Sequence, residues 1–129
     1  MSDTYVLVNG NKAEIRLPAD VEVTVKVKTN SPHTQKVQLT SKDGSVDRSF
    51  TGSGERNTVI GDSRITGQDL YFATFEFAPA DGVFMPSRLN SGGPYAIGNY
   101  NILVVVAENG DDADYNDTVL EFSWFTPKP

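Results

Sequence analysis

Hydrophobic positions repeat with a period of two over most of this chain. Val21, Val23, Val25 and Val27 alternate with Glu22, Thr24, Lys26 and Lys28, the pattern of a strand with one face in a core and the other in water. Residues 5–8 and 13–17 flank Asn9-Gly10, and residues 36–40 and 46–50 flank Asp43-Gly44. Both dipeptides tolerate positive φ and so favour tight hairpins. Residues 70–78 place Tyr71, Ala73, Phe75 and Phe77 on one face, and residues 102–106 and 119–124 also read as strands. No segment carries a helical apolar stripe of useful length, and turn residues separate the runs at the short spacing of sandwiches and barrels. The pattern predicts an all-β chain, a single antiparallel β-sandwich of about eight to nine strands, with one domain over residues 1–129. Residues 81–98 break the alternation with Pro86, Gly92, Gly93 and Pro94. They predict a long surface loop, either functional or a tolerated insertion.

Composition narrows the function classes. The chain has no Cys, which excludes disulfides, thiolate metal sites and cysteine nucleophiles. A formal charge of −6 argues against nucleic acid, whose binders carry basic patches. No apolar run approaches the roughly 20 residues needed to cross a bilayer as a helix, so no membrane insertion is expected. Met1-Ser2-Asp3-Thr4-Tyr5 lacks the basic and apolar regions of a signal peptide. The expectation is a chain made soluble in the cytoplasm, with any export or surface display following a non-classical route.

The chemistry concentrates in Glu108-Asn109-Gly110-Asp111-Asp112-Ala113-Asp114-Tyr115-Asn116-Asp117, where five carboxylates and two Asn amides fall within ten residues. Strand-like runs enter and leave this segment, so both of its ends are anchored and its charges are held together. Two unit charges ~4 Å apart repel by about 1 kcal/mol in water and about 4 kcal/mol at an effective dielectric of ~20. A cation relieves that repulsion. All-oxygen donors without nearby Cys or His favour calcium or magnesium over zinc or copper, and crowded carboxylates suit the larger, more tolerant calcium. An EF-hand frame from Asp112 fails: Asp117 stands where Gly is needed, Ser123 where the bidentate Glu belongs, and the flanks are strands. A solvated acidic face and a metal that only staples the fold are the alternatives.

The acidic run followed by Thr118-Val119-Leu120-Glu121-Phe122-Ser123-Trp124 resembles the calcium loop and last strand of the LecB-like bacterial lectins. The likeness continues upstream through Ile15-Arg16-Leu17-Pro18-Ala19, the alternating strand to Asn30, and a middle hairpin over residues 50–53 and 57–61. The resemblance implies a calcium-mediated carbohydrate-binding protein, a lectin for fucose- or mannose-type glycans that uses two calcium ions. Carried over by position, Glu108, Asp112, Asp114 and Asp117 hold one ion. Asn30, Asp114, Asn116 and Asp117 hold the other. The implied sugar contacts are Asn30, Ser31, Pro32, His33, Asn109, Asp112, Asp114, Asn116 and Asp117. Ser31-Pro32-His33 departs from the family's small polar triplet, because Pro32 has no backbone donor and His33 is bulky. His33 is the only histidine, and a plain exposed loop residue is its competing reading. Asn109 stands where the family often has Asp. The family also implies a homodimer in which a terminal Gly carboxylate reaches the partner's calcium. Here Pro127 occupies that Gly's place and the chain runs two residues further.

A calcium-stapled structural or adhesive sandwich without sugar binding is the alternative function. A glycosidase needs one carboxyl with a raised pKa, whereas a cation-bound cluster keeps its carboxylates ionised, and His33 has no motif around any nucleophile. The expectation is a binding protein and not an enzyme.

Overall fold

A computed structural model of the chain describes residues 4–67, 70–78, 82–108 and 117–126. Nine strands occupy them: β1 (Tyr5–Asn9), β2 (Lys12–Arg16), β3 (Glu22–Ser41), β4 (Asp47–Thr66), β5 (Tyr71–Ala78), β6 (Met85–Pro86), β7 (Arg88–Ile97), β8 (Tyr100–Glu108) and β9 (Thr118–Phe125). All of the ladders are antiparallel, as the alternating pattern predicts. The β3–β4 turn uses Gly44 at φ 79°, where a side chain would be strained. In the first hairpin Asn9 pairs with Lys12, so Gly10 and Asn11 form the tip, one residue beyond the predicted Asn9-Gly10.

The twenty-residue strand β3 organises the sandwich. Its first half, Thr24 to Thr29, pairs with β9, and its second half, Thr34 to Ser41, pairs with β5, while β4 follows it along the other edge. Register shifts around Thr29, Ser31 and Gln35 mark the crossing from one half to the other. Bulges bend a strand and strengthen its twist, so the strand order β1-β2-β5-β3-β9-β8-β7 folds over on itself. At the far side β1 comes up against β7, and the sheet nearly closes. Between the halves lies one core of Ile15, Leu17, Val23, Val25, Val27, Val37, Leu39, Tyr71, Phe75, Leu103, Val105, Leu120, Phe122 and Trp124. Burying each such aliphatic or aromatic side chain contributes roughly 1.5–3 kcal/mol. Tyr71 brings a polar group inside and satisfies it, its hydroxyl donating to the Thr66 carbonyl at 2.8 Å.

Two expectations are corrected. Residues 81–98 are not one long loop, since residues 85–86 form β6 and residues 88–97 form β7, paired to β5 and β8. Among the described residues β7 takes a single ladder partner, β8, and it skips register between Gly92 and Tyr95. An edge position with a bulge accommodates Gly93 and Pro94, which a central strand would reject. Residues 50–53 and 57–61 likewise do not pair as a hairpin, because both lie in β4 and take β3 as their ladder partner. They meet each other through side chains, with no room for a Cβ on Gly52 beside Ile60 or on Gly61 beside Phe50. Arg56 and Asn57 make the bend between them at φ 64° and 57°.

Candidate functional site

The inward phase of β3 reads Val23, Val25, Val27, then Thr29, Ser31 and Gln35, then Val37 and Leu39, all buried. The polar interruption falls on the crossing point of the sandwich. There the Asn30 amide donates to the Asp117 carbonyl at 3.1 Å, and the Asp117 amide donates to the Ala107 carbonyl at 3.1 Å. Three elements therefore meet: the bend of β3, the end of β8 and the entry to β9. The β8–β9 ladder ends at the Ala107–Thr118 pair, and Glu108 and Asp117 adjoin that pair at the two ends of the acidic run. Glu108 is fully buried and Asp117 is only 8% exposed. Ionised carboxylates are costly to bury without compensating charge or hydrogen bonds.

The side chains around this junction are tied down. Asn30 Oδ1 accepts the Asn57 amide at 2.7 Å while its Nδ2 donates to Asn57 Oδ1 at 2.9 Å. Thr29 Oγ1 donates to the Gly54 carbonyl at 2.9 Å, so the β4 bend is fastened to the β3 bend at two successive residues. The His33 amide donates to Ser31 Oγ at 3.1 Å, and Gln35 Nε2 donates to the His33 carbonyl at 3.2 Å. Thr118 Oγ1 donates to Gln35 Oε1 at 2.6 Å in a fully buried bond. The His33 ring lies 6.4 Å from the Phe77 ring, tilted by 37°. Pro32 is exposed and His33 half-buried, whereas Ser31 is buried.

The structure thus brings together Asn30, Ser31, Pro32, His33, Glu108 and Asp117, from segments about 80 residues apart in the chain. Asn109, Asp112, Asp114 and Asn116 lie outside the described residues. Among the described residues no three His, Cys, Asp or Glu side chains cluster as a metal site. Glu108, Asp117 and Asn30 supply hard oxygens at both ends of the acidic run, a donor set that fits calcium. Gln35, Thr118 and Asn57 are the participants the sequence reading missed. Gln35 and Thr29 are detectable in hindsight, as polar residues on an otherwise apolar phase. A separate hollow of about 340 Å³ on the outer face of β1, β2 and β5 is lined by Leu7, Asn9, Lys12, Glu14 and Phe72. It shares no residue with the β3–β8–β9 junction, and its concavity alone gives it no claim to the chemistry.

Comparison with known proteins gives this junction its context. Residues 15–126 match the model of the fucose-binding lectin II (PA-IIL) family. No curated protein matches the chain. Among solved structures, the Chromobacterium violaceum lectin CV2L, in complex with alpha-methyl-fucoside, is 26% identical with a TM-score of 0.71, over 93% of this chain and 100% of that one. A Ralstonia solanacearum high-affinity mannose-binding lectin is 27% identical with a TM-score of 0.70, over 88% of this chain and 96% of that one. The C-terminal domain of the Burkholderia cenocepacia lectin BC2L-C shares the fold at 21% identity and a TM-score of 0.68, over 92% and 98% of the two chains. The family match extends from β2 through the acidic run to the end of β9, and on that span the chain belongs to the PA-IIL fucose-binding lectin family.

Proposed function

We propose that the junction of β3, β8 and β9 is a calcium-dependent sugar site, which holds a fucose- or mannose-type monosaccharide through two bound calcium ions. Membership of a lectin family makes the chain a carbohydrate-binding protein and not an enzyme. The observation that carries the metal reading is the pair Glu108 and Asp117, two buried carboxylates that adjoin the last β8–β9 ladder pair at the two ends of an acidic run. In this reading Glu108, Asp112, Asp114 and Asp117 hold one ion, and Asn30, Asp114, Asn116 and Asp117 the other. Bound there, calcium supplies open coordination positions that neighbouring sugar hydroxyls fill in place of water. The carboxylates not spent on the metal accept the protons of those hydroxyls in charge-assisted hydrogen bonds. Asn30 spends its amide nitrogen and one lone pair of Oδ1 on Asn57, which fixes where the second Oδ1 lone pair points. Ser31, Pro32, His33 and Asn109 border the site and select among sugars by shape and donor pattern. The known ligands of the Chromobacterium and Ralstonia lectins, a fucoside and mannose, name the sugars to try first.

The test is calorimetric titration of methyl fucoside and methyl mannoside into the protein, with calcium and after chelation. Binding of at least one sugar in calcium, abolished by chelator, is the expected result. Sugar binding indifferent to chelator contradicts the reading. So does a chain that calcium stabilises but neither sugar titrates, the outcome of the stapled-module alternative.

A further inference from the structure

Beside this site runs a buried polar bridge from Thr118 through Gln35 to His33. Gln35 is fully buried and Thr118 only 1% exposed. A buried primary amide left unpaired is costly. Here the amide is used at both ends, with Oε1 accepting from Thr118 Oγ1 at 2.6 Å and Nε2 donating to the His33 carbonyl at 3.2 Å. The ladder pairs among the described residues pass from Ser31 to Thr34 without including Pro32 and His33. Side chains therefore hold this piece of backbone, Ser31 Oγ from one side and Gln35 Nε2 from the other. Thr118 stands at the opposite end of the bridge, one residue beyond Asp117, paired with Thr29 on β3 and Ala107 on β8.

We infer that Gln35 and Thr118 form a positioning pair that locks the Ser31–Pro32–His33 bulge of β3 in register with the exit of the acidic run, and so fixes which sugar the site prefers. The inference rests on the sugar-site reading above and adds residues outside its proposed metal and sugar contacts. Its chemical basis is geometric. Sugars such as fucose and mannose are distinguished by the disposition of hydroxyls and a methyl group over ångström distances. The Ser31–Pro32–His33 stretch of β3 discriminates at that scale only if it is fixed relative to the metal ligands. The Thr118–Gln35–His33 chain of hydrogen bonds links His33 to the residue after Asp117, in addition to the Asn30–Asp117 backbone bond at the start of the bulge.

The experiment compares Thr118→Ser, Thr118→Val, Gln35→Met and the double variant Thr118→Val/Gln35→Met. Each is titrated with methyl fucoside, methyl mannoside and calcium, and melted in parallel. Thr118→Val keeps the side-chain shape but deletes the donor, leaving Gln35 Oε1 buried and unmatched. The double variant replaces both partners by apolar groups, which restores much of the stability. The expected result is a loss of about tenfold in affinity for the preferred sugar, with a changed fucose-to-mannose ratio, in Thr118→Val, Gln35→Met and the double variant alike. Calcium affinity stays within about twofold, and Thr118→Ser restores the wild-type ratio. A purely structural role gives another pattern: melting temperature falls in the single variants and recovers in the double, while the sugar ratio stays at wild type throughout. That pattern overturns the inference and leaves the sugar-site reading standing. A wild-type chain that binds neither sugar in calcium removes both together.

Discussion

Replacing Glu108 by Gln should move stability in opposite directions with and without calcium. Glu108 is fully buried and, like the nearly buried Asp117, adjoins the last β8–β9 ladder pair, Ala107–Thr118. Cross-strand neighbours hold their Cβ atoms about 5 Å apart when directly opposed and about 7–8 Å apart when diagonal. Two like unit charges about 5–8 Å apart at an effective dielectric of about 20 repel by about 2–3 kcal/mol. Glu108→Gln removes that repulsion at nearly constant volume. In chelator the variant should therefore melt above the wild type, by up to about 10 °C for a domain of this size, less whatever the lost charged hydrogen bonds contributed. In millimolar calcium the order should reverse, because the wild type gains binding free energy from a ligand the variant has lost. Circular-dichroism melts of both proteins in the two buffers make the comparison. A shift of the same sign in both buffers shows that Glu108 is an ordinary structural carboxylate and refutes the reasoning.

Two further predictions concern the scaffold. The Asp43 carboxylate accepts bonds from the Ser45 amide at 3.0 Å, the Ser41 hydroxyl at 2.7 Å and the Ser45 hydroxyl at 2.8 Å. The Ser45 amide first, then the two hydroxyls, hold its pKa below the ordinary 3.8. A depressed carboxylate contributes stability above its unfolded pKa and loses it as pH falls through the folded one. Asp43→Ala should thus lower the melting temperature slightly at neutral pH, and the gap should close at pH values below the ordinary carboxylate range; an unchanged gap there counts against the turn assignment. Gly67→Ala should cost ~2 kcal/mol or more in urea unfolding, because a Cβ at that buried position runs into the Pro18 carbonyl oxygen. The Gly67 backbone cannot retreat easily, since its amide donates to Val21 at 2.7 Å and its carbonyl accepts from Asp20 at 3.0 Å. A change below ~0.5 kcal/mol would show that this corner yields.

How much of this was readable in the chain depends on where each residue's environment comes from. The alternation of Val23, Val25 and Val27 reported its own burial, because a half-buried strand needs only one apolar face. β7 hid behind Gly92, Gly93 and Pro94 because its strand character comes from pairing with β8 and not from local propensity. The predicted middle hairpin failed for a related reason, since the Arg56–Asn57 bend reads locally as a turn while both of its arms belong to the ladder with β3. The acidic run was visible by composition alone. Its partner Asn30, by contrast, is adjacent to Asp117 only through the β3–β9 ladder, and no local pattern encodes that contact; the family resemblance supplied it. Gln35 left a weaker trace, a polar residue in the phase of Val37 and Leu39, whose meaning emerges only when Thr118 is placed beside it.

The central claim is that sugar and calcium share one coordination site, and titrating calcium into metal-stripped protein, with and without saturating methyl fucoside or methyl mannoside, tests it most directly. Coupling between two ligands is reciprocal. The account predicts uptake of two ions per chain and a tighter calcium isotherm when the preferred sugar is present. No divalent uptake, or identical calcium isotherms in the presence of a sugar that demonstrably binds, contradicts it.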